Sequence, residues 1–197
     1  MNTKLFESIT ESLVKDGYIV IEDALDSRLL EELLLSASDE STYQKAGISK
    51  SSDLHIDSTK RSDKILWLDE DGAGVSEYLS FAQDLRTYLN RALYLGLNYY
   101  EAHFALYEKG DFYEKHRDAF KGSKNRVVTT VLYLNREWGE NDGGDLLIYD
   151  DKEEFLKKVF PKMGTLVVFL SDKFPHEVLP SNKKRHSIAG WFRVDKR

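Results

Sequence analysis

The pattern of apolar residues changes near residue 96, and this change constrains the fold more than any other feature of the sequence. Before this point, apolar side chains recur at the spacing of amphipathic helices in segments 5–14, 29–34 and 75–95. After it come short runs rich in β-branched and aromatic residues, separated by Gly, Asn, Asp or Pro: 102–108, 126–135, 144–150, 164–171, 176–180 and 187–194. Helices followed by many short strands predict an α+β fold around an antiparallel barrel or sandwich.

Residues at the ends of the predicted helices indicate where each helix begins and ends. Gly17 ends the first helix, Asp26 or Ser27 caps the second, and Gly96 closes the third. Two more strands are predicted at 18–22 and 64–68, and a long polar loop at 43–63. We therefore expect one domain over 1–197, with helical support at about 1–95 and a barrel core at about 100–195.

The composition narrows the functions that the chain can have. Its 197 residues carry a net charge of −6, which argues against a general binder of nucleic acid or anionic membranes. The chain has no cysteine, so thiolate metal sites, iron–sulfur clusters and disulfides are excluded. The first 17 residues lack the continuous apolar stretch of a signal peptide or a membrane span. We expect a cytoplasmic monomer that binds neither nucleic acid nor membrane.

A histidine and an aspartate separated by one residue occur twice in the sequence. In an extended chain, residues i and i+2 point to the same side, so such a pair can offer an imidazole nitrogen and a carboxylate oxygen to one metal ion. His116 and Asp118 precede the strand at 126–135, which places them at the mouth of a sheet. His55 and Asp57 lie in the polar loop, with no strand to orient them. We interpret the first pair as candidate metal ligands and the second as solvated.

A third ligand and a fixed cation follow later in the chain. His176 comes after the buried run at 164–171 and, with His116 and Asp118, would complete the two-histidine, one-carboxylate triad of non-haem Fe(II) oxygenases. The same ligands would also suit Zn(II). Arg185 follows His176 across a turn, where a hairpin would place it deeper in the barrel and able to clamp a distal carboxylate. A 2-oxoglutarate site needs such a cation, whereas a hydrolytic zinc site does not.

Structural roles stay open for each of these residues when it is considered alone. A lone His-x-Asp pair is usually structural, His176 could cap a turn, and Arg185 could be a solvated charge. Their occurrence in this order, each at the edge of a strand, favours a functional site. The alternation along the strands also predicts that His103 packs inside the protein and that His186 points away from Arg185.

The ordered set of His116, Asp118, His176 and Arg185 resembles that of the iron- and 2-oxoglutarate-dependent dioxygenases. Among these, it most resembles the prolyl 4-hydroxylases of the oxygen-sensing type and their bacterial relatives. The likeness extends from about residue 58 to the C-terminus and includes RSDKILWLDE (61–70), TTVLYLNREW (129–138), GGDLLIY (143–149) and PHEVLPSNKKRHSIAGWF (175–192). The resemblance implies a double-stranded β-helix of the jelly-roll type with supporting N-terminal helices.

The resemblance also implies roles for individual residues. Those implied to bind Fe(II) are His116, Asp118 and His176. Those implied to hold 2-oxoglutarate are Arg185, Tyr133, Tyr107, Leu146 and Trp191. Those implied to be surface groups that contact the substrate at the entrance are Asp63, Trp67 and Arg126. We expect Asp63 and Arg126 to lie close together, either paired or within reach of one peptide, and the loop at 45–63 to close over that peptide.

By resemblance, the activity would be hydroxylation of a prolyl residue in a protein. Iron would use O2 and 2-oxoglutarate, with ascorbate in support, and succinate and CO2 would be released. Elongation factor Tu would be a plausible bacterial target. Two alternatives stay open: an oxygenase of a small molecule such as a free amino acid, and a metal-binding jelly-roll module without catalysis. A closed pocket would favour the first alternative, and production of succinate would exclude the second.

Overall fold

The computed structural model describes residues 3–47, 59–69, 72–119 and 125–194. Its helices are α1 (Thr3–Lys15), α2 (Ser27–Ser36), a short 3₁₀ helix (Glu40–Thr42) and α3 (Ala73–Leu93). Its strands are β1 (Tyr18–Ile21), β2 (Gln44–Lys45), β3 (Lys64–Trp67), β4 (Tyr99–Tyr107), β5 (Tyr113–His116), β6 (Arg126–Tyr133), β7 (Leu146–Tyr149), β8 (Phe155–Val159), β9 (Leu166–Leu170), β10 (His176–Val178) and β11 (Arg185–Arg193). None of the described helices combines the length and the apolar character that crossing a membrane would require.

The strands form two antiparallel sheets that face each other. The larger sheet has the order β1-β9-β6-β11-β4-β3-β2, and the smaller has the order β5-β10-β7-β8. Tyr107 and Tyr133 of the larger sheet share one apolar cluster with Leu146 and Val178 of the smaller. The space between the sheets is therefore bounded by residues that lie far apart in the sequence.

Strand β4 shows how the larger sheet is buried on both faces. Phe104 and Leu106 belong to the apolar cluster shared with the helices, whereas Ala105 and Tyr107 belong to the cluster between the sheets. Successive residues of a strand point to opposite sides, so a strand covered on both faces needs a nearly continuous apolar run. The helices cover one face of this sheet and leave the other for the site.

The end of α3 differs from the prediction. Gly96 was predicted to close the helix, but Leu93 is its last residue and Tyr94 adopts the left-handed conformation with φ 55°. The side chain of Asn90 explains the difference, because its Nδ2 donates to the Leu97 carbonyl and its Oδ1 accepts from the Leu97 amide, both at 2.7 Å. These two bonds fix the turn that follows the helix.

The strands predicted from the β-rich runs are all present, and β2, β5 and β8 occur in addition. These three strands are largely exposed and rich in charged residues, so they lack the apolar pattern that reveals a strand. Strand β2 lies inside the segment that was predicted to be a polar loop. The predicted cap at Asp26 is confirmed, since its side chain accepts from the Arg28 amide at 2.9 Å. His55, Asp57 and most of the loop at 45–63 lie outside the described residues.

Candidate metal centre and cosubstrate pocket

A cavity of about 590 Å³ opens between the two sheets. Its buried floor contains Tyr107, Asp118, Tyr133, His176 and Arg185. Its mouth consists of exposed or half-buried residues: Thr42, Gln44, Lys45, Trp67, Asp69 and Arg126. Each of the site residues predicted from the sequence lines this one cavity.

His116, Asp118 and His176 form a compact cluster at the smaller sheet. His116 ends β5 and lies opposite His176 of β10, while Asp118 follows shortly after β5. Nε2 of His116 lies 3.7 Å from Oδ1 of Asp118, and Nε2 of His176 lies 3.6 Å from Oδ2. One ligand atom of each residue lies within 4.8 Å of the other two. Two imidazoles and a carboxylate at this spacing can bind one divalent metal ion from one side.

Backbone carbonyls fix the orientation of both imidazole rings. Nδ1 of His116 lies 2.7 Å from the Glu114 carbonyl oxygen, and Nδ1 of His176 lies 3.0 Å from that of Phe174. Because a carbonyl oxygen only accepts, each Nδ1 carries the proton and each Nε2 keeps its lone pair for a metal. Support of this kind is typical of histidines that bind metals.

The protonation of the cluster also suits a metal. Burial and the neighbouring His176 lower the pKa of His116 to about 3, so its ring is neutral at pH 7. Burial acts to raise the pKa of Asp118, but His176, His116, Arg126 and a hydrogen bond from Thr129 together bring it below its usual value. His116 therefore offers a neutral imidazole, and Asp118 offers an anionic carboxylate.

Arg185 begins β11 and is buried between the sheets, with 1% of its surface exposed. Its guanidinium lies over the rings of Tyr107 and Tyr133, with Cζ 4.6 Å and 5.0 Å from the ring centroids. One nitrogen, Nη1, donates to Ser187 at 3.2 Å. Gly144 permits this close approach, since a Cβ at that position, where φ is 64°, would lie 2.9 Å from Cδ of Arg185.

The floor of the cavity holds donors that lack an acceptor. Nε of Arg185 and the hydroxyl of Tyr133 are both buried and make no hydrogen bond of normal geometry within the described part of the chain. Burial raises the pKa of Tyr133 to about 12 against the opposing effect of the Arg185 charge, so the hydroxyl stays protonated at pH 7. Leaving such groups unpaired is costly, and a carboxylate bound here would satisfy both. The floor therefore fits an anionic ligand.

Comparison with known proteins places this site in a family context. A family model of the 2OG-Fe(II) oxygenase superfamily matches residues 102–193, which include the metal cluster and Arg185. Egl nine homolog 1 of Homo sapiens is 29% identical over 198 residues, which cover 94% of this chain and 46% of that protein. The chain thus spans less than half the length of this relative.

Two solved structures resemble the chain over nearly its whole length. A prolyl-4-hydroxylase of Pseudomonas putida is 34% identical with a TM-score of 0.87, and the match covers 97% of this chain and 100% of that one. The chain belongs to the prolyl hydroxylase family of 2-oxoglutarate- and Fe(II)-dependent oxygenases. A prolyl hydroxylase of Trichoplax adhaerens, in complex with a hypoxia inducible factor oxygen degradation domain peptide fragment, is 26% identical with a TM-score of 0.85, and the match covers 98% of this chain and 90% of that one.

Membership of the prolyl hydroxylase family confirms the predicted double-stranded β-helix and implies Fe(II), 2-oxoglutarate and O2. The site fits these groups. The metal cluster has the oxygen and nitrogen ligands that Fe(II) takes, and Arg185 with Tyr133 fits the far carboxylate of 2-oxoglutarate. Leu146 and Trp191 are buried on the cavity lining, one on each sheet.

Arg126 is held in place by a buried carboxylate that sequence analysis missed. Nε and Nη2 of Arg126 donate to Oε1 of Glu101 at 3.1 and 2.9 Å, and Arg193 donates to the same oxygen at 2.9 Å. The guanidinium of Arg126 lies 3.8 Å from the centroid of the Trp191 ring. Nothing local marks Glu101 of β4, because its partners lie on other strands of the larger sheet: Arg193 on the adjacent β11 and Arg126 on β6 beyond it.

The structure corrects the role predicted for Asp63 as a surface group at the entrance. Asp63 is 1% exposed, and Nε and Nη2 of Arg61 donate to its two oxygens at 2.8 and 2.7 Å. Arg126 pairs with Glu101, so Asp63 and Arg126 line one cavity but do not pair with each other. Arg61 and Asp63 are two residues apart in an extended segment and share one side, which is a signal that the sequence contains.

Stacked rings connect this ion pair to the metal cluster. The guanidinium of Arg61 lies 4.2 Å from the centroid of the Tyr113 ring, and that ring stacks on His116 with 3.6 Å between centroids. The stack restricts rotation of His116, which lies nearer the solvent than His176. Arg61 and Tyr113 were not predicted as site residues, since a tyrosine and an arginine in charged runs resemble ordinary surface residues.

His103 packs inside the protein, as predicted, and it also lines the cavity. Its ring lies 5.2 Å from that of Trp67 and 5.4 Å from that of Trp191, measured between centroids. Burial and the charge of Arg61 lower the pKa of His103 to about 3. His103 therefore lines the cavity as a neutral ring between Trp67 and Trp191, the two tryptophans predicted as site residues.

We expect the burial of His103 to make the fold less stable in acid. The folded-state pKa of about 3 lies below the ordinary value of 6.5, so the unfolded chain takes up the proton first as the pH falls. The resulting loss in the free energy of unfolding is absent above about pH 6.5, grows toward pH 3, and amounts to about 2 kcal/mol at pH 5. Urea unfolding of the metal-free protein at pH 7 and pH 5 should show a smaller decrease for His103→Gln than for the unmodified chain. Equal decreases would contradict this explanation.

Proposed function

We propose that the chain hydroxylates a prolyl residue of a peptide or protein with Fe(II), 2-oxoglutarate and O2, and that it releases succinate and CO2. The observation that carries the proposal is one cavity that combines an unsatisfied anion site, the metal cluster and an open mouth. The similarity to prolyl hydroxylases of Pseudomonas putida and Trichoplax adhaerens supports proline as the target.

The residues of the floor bind and orient the small reactants in this proposal. His116, Asp118 and His176 hold Fe(II) from one side, and the bound iron supplies the oxidising chemistry. Arg185 and Tyr133 bind the far carboxylate of 2-oxoglutarate through the donors that are otherwise unpaired. The apolar cluster between the sheets includes Tyr107 and Tyr133, and it keeps water away from the contact between Arg185 and that carboxylate.

The mouth suits an extended peptide better than a small molecule. Trp67 is 38% exposed there and offers an apolar platform. Arg126 is held against Trp191 by Glu101, with 24% of its side chain exposed. A rigid aromatic surface beside a fixed guanidinium is typical of the residues that contribute most to binding a protein partner. These groups can contact the residues that flank a proline.

Mass spectrometry of treated proteins tests the proposal directly. Proteins of a cell lysate are incubated with the chain, Fe(II), 2-oxoglutarate and ascorbate, and prolines that gain the mass of one oxygen atom are sought. His176→Ala serves as the inactive control. Oxidised prolines that depend on active protein support the proposal, whereas succinate formed only with free amino acids would favour a small-molecule oxygenase. Absence of succinate under all conditions would refute an oxygenase activity.

Elongation factor Tu is the first purified protein to test as a substrate, on the strength of family likeness.

Four further properties stay predictions: a cytoplasmic location, a monomeric state, support by ascorbate and a single domain over 1–197. Gel filtration with light scattering would test the monomer.

Removal of the Arg126 charge should impair protein hydroxylation more than the slow consumption of 2-oxoglutarate without substrate. Arg126→Gln removes the cation that lies over the Trp191 ring at the mouth, so kcat/KM for a protein substrate should fall about 5- to 30-fold. Arg126→Glu should have a larger effect, because it places a second carboxylate beside Glu101. The two activities are compared by succinate production with and without substrate.

Arg136→Gln is the matched control for this measurement. Arg136 also pairs with a glutamate, Glu31, but that pair is exposed and does not line the cavity. Equal loss of both activities in Arg126→Gln would mean that Arg126 supports the fold or the cosubstrate pocket. Unchanged activities would favour a small substrate that does not touch the mouth.

A further inference from the structure

Two buried hydroxyl groups lie behind the carboxylate of Asp118. Oγ1 of Thr129 lies 2.8 Å from Oδ2 of Asp118 and 2.9 Å from Oγ of Ser171. Thr129 is 1% exposed and Ser171 is fully buried, so water does not compete for either contact. None of the predicted roles involves these two residues.

The direction of the hydrogen bonds follows from the number of protons. An ionised carboxylate only accepts, so the single hydroxyl proton of Thr129 is donated to Asp118. At its other contact Thr129 must then accept, and Ser171 must donate. The result is a directed chain from Ser171 through Thr129 to Asp118, in which each bond strengthens the next.

We propose that Thr129, supported by Ser171, is a positioning residue that fixes the carboxylate of Asp118 for metal binding and slows loss of the metal. The inference rests on the assignment of Asp118 as a ligand in the proposed function. The torsion that turns an aspartate carboxylate has a broad energy minimum, so Asp118 alone would not hold one oxygen toward the metal. Thr129 is β-branched and therefore restricted in its own rotamer, which makes it a rigid donor.

The positions of Ser171, Thr129 and Asp118 in the two sheets support this role. Thr129 lies on β6, next to β9 in the larger sheet, and Ser171 follows directly after β9. Asp118 follows β5 of the smaller sheet. The hydrogen bond from Thr129 thus joins the two sheets at the metal cluster, and it ties the anionic ligand to the more extensive sheet.

Release of iron from the iron-loaded protein to an excess of a chromogenic Fe(II) chelator, without oxygen, tests the proposal independently of turnover. Thr129→Val keeps the shape and removes the hydroxyl, and it should release iron about 10- to 100-fold faster. Thr129→Ser keeps the hydroxyl and should stay within a few-fold of the unmodified protein. Ser171→Ala removes only the supporting donor, so its rate should lie between these two.

Thr130→Val is the matched control, because it removes a buried hydroxyl on the same strand that contacts Tyr100 instead of Asp118. It should release iron at the unmodified rate. An unchanged rate in Thr129→Val, or equal acceleration in Thr129→Val and Thr130→Val, would overturn the proposal. Asp118→Ala separates the two levels: if it releases iron quickly while Thr129→Val does not, only the role of Thr129 fails. If Asp118→Ala also keeps its iron, the ligand assignment itself fails.

Discussion

Replacing Asp118 by alanine is expected to abolish turnover and to release iron from the protein. Asp118 is the carboxylate of the described metal cluster, and its low pKa makes it an anionic ligand at neutral pH. Without it, the two imidazoles would face a divalent cation with no negative charge to compensate it. The loss of metal affinity should exceed the about 10- to 100-fold that removal of a supporting residue costs. Succinate production and iron release to a chelator measure the two effects separately.

Asp151→Ala provides the comparison for this experiment, since Asp151 is an exposed residue in the turn between β7 and β8. That variant should behave as the unmodified protein in both assays. Asp118→Glu would test geometry rather than charge, because the longer side chain cannot keep the hydrogen bond from Thr129 and the present distances to both histidines. Normal turnover in Asp118→Ala would contradict the metal site that we assign.

The metal cluster could be predicted because much of its geometry is local. His116 ends β5 and Asp118 follows it by two residues, so the rule for strands predicts both side chains on one side. The third ligand, His176, starts a strand that pairs with the strand of His116. Arg185 could be predicted because it begins the next strand after His176. A cation buried at that place needs an anionic partner, and the distal carboxylate of 2-oxoglutarate is such a partner.

The residues that support the site could not be predicted because their partners are set by the order of strands in the sheet. Glu101 meets Arg126 and Arg193 only because β11 lies next to both β4 and β6. Thr129 reaches Asp118 only because the two sheets face each other. No local periodicity carries this information.

The error on Asp63 has a different physical origin. Charged residues are seldom buried, so an aspartate in a polar segment is assigned to the surface by default. The bidentate pair with Arg61 removes the cost that underlies this rule, because both carboxylate oxygens are satisfied. The spacing of Arg61 and Asp63 permitted such a pair, but only the fold shows that the segment is covered.

Replacing Arg185 by alanine should raise the concentration of 2-oxoglutarate needed for half-maximal turnover while iron retention stays nearly unchanged. Arg185 is buried over Tyr107 and Tyr133, and its Nε has no acceptor in the described part of the chain. Removing one partner of a buried, hydrogen-bonded charge pair costs about 2 to 5 kcal/mol, so the requirement should rise about 30-fold or more. Iron release to a chelator should not change, because Arg185 is not among the metal ligands.

Two further variants separate the charge of Arg185 from its geometry. Arg185→Lys keeps the cation but loses the planar fork that can donate two parallel hydrogen bonds, so it should recover only part of the 2-oxoglutarate affinity. Tyr133→Phe removes one neutral donor and leaves the charge, and its effect should be about 10-fold, well below that of Arg185→Ala. The expected order of the 2-oxoglutarate requirement is therefore Arg185→Ala first, Arg185→Lys second and Tyr133→Phe last. An Arg185→Ala protein that loses iron but keeps the normal 2-oxoglutarate requirement would show that this arginine supports the metal cluster instead of the cosubstrate.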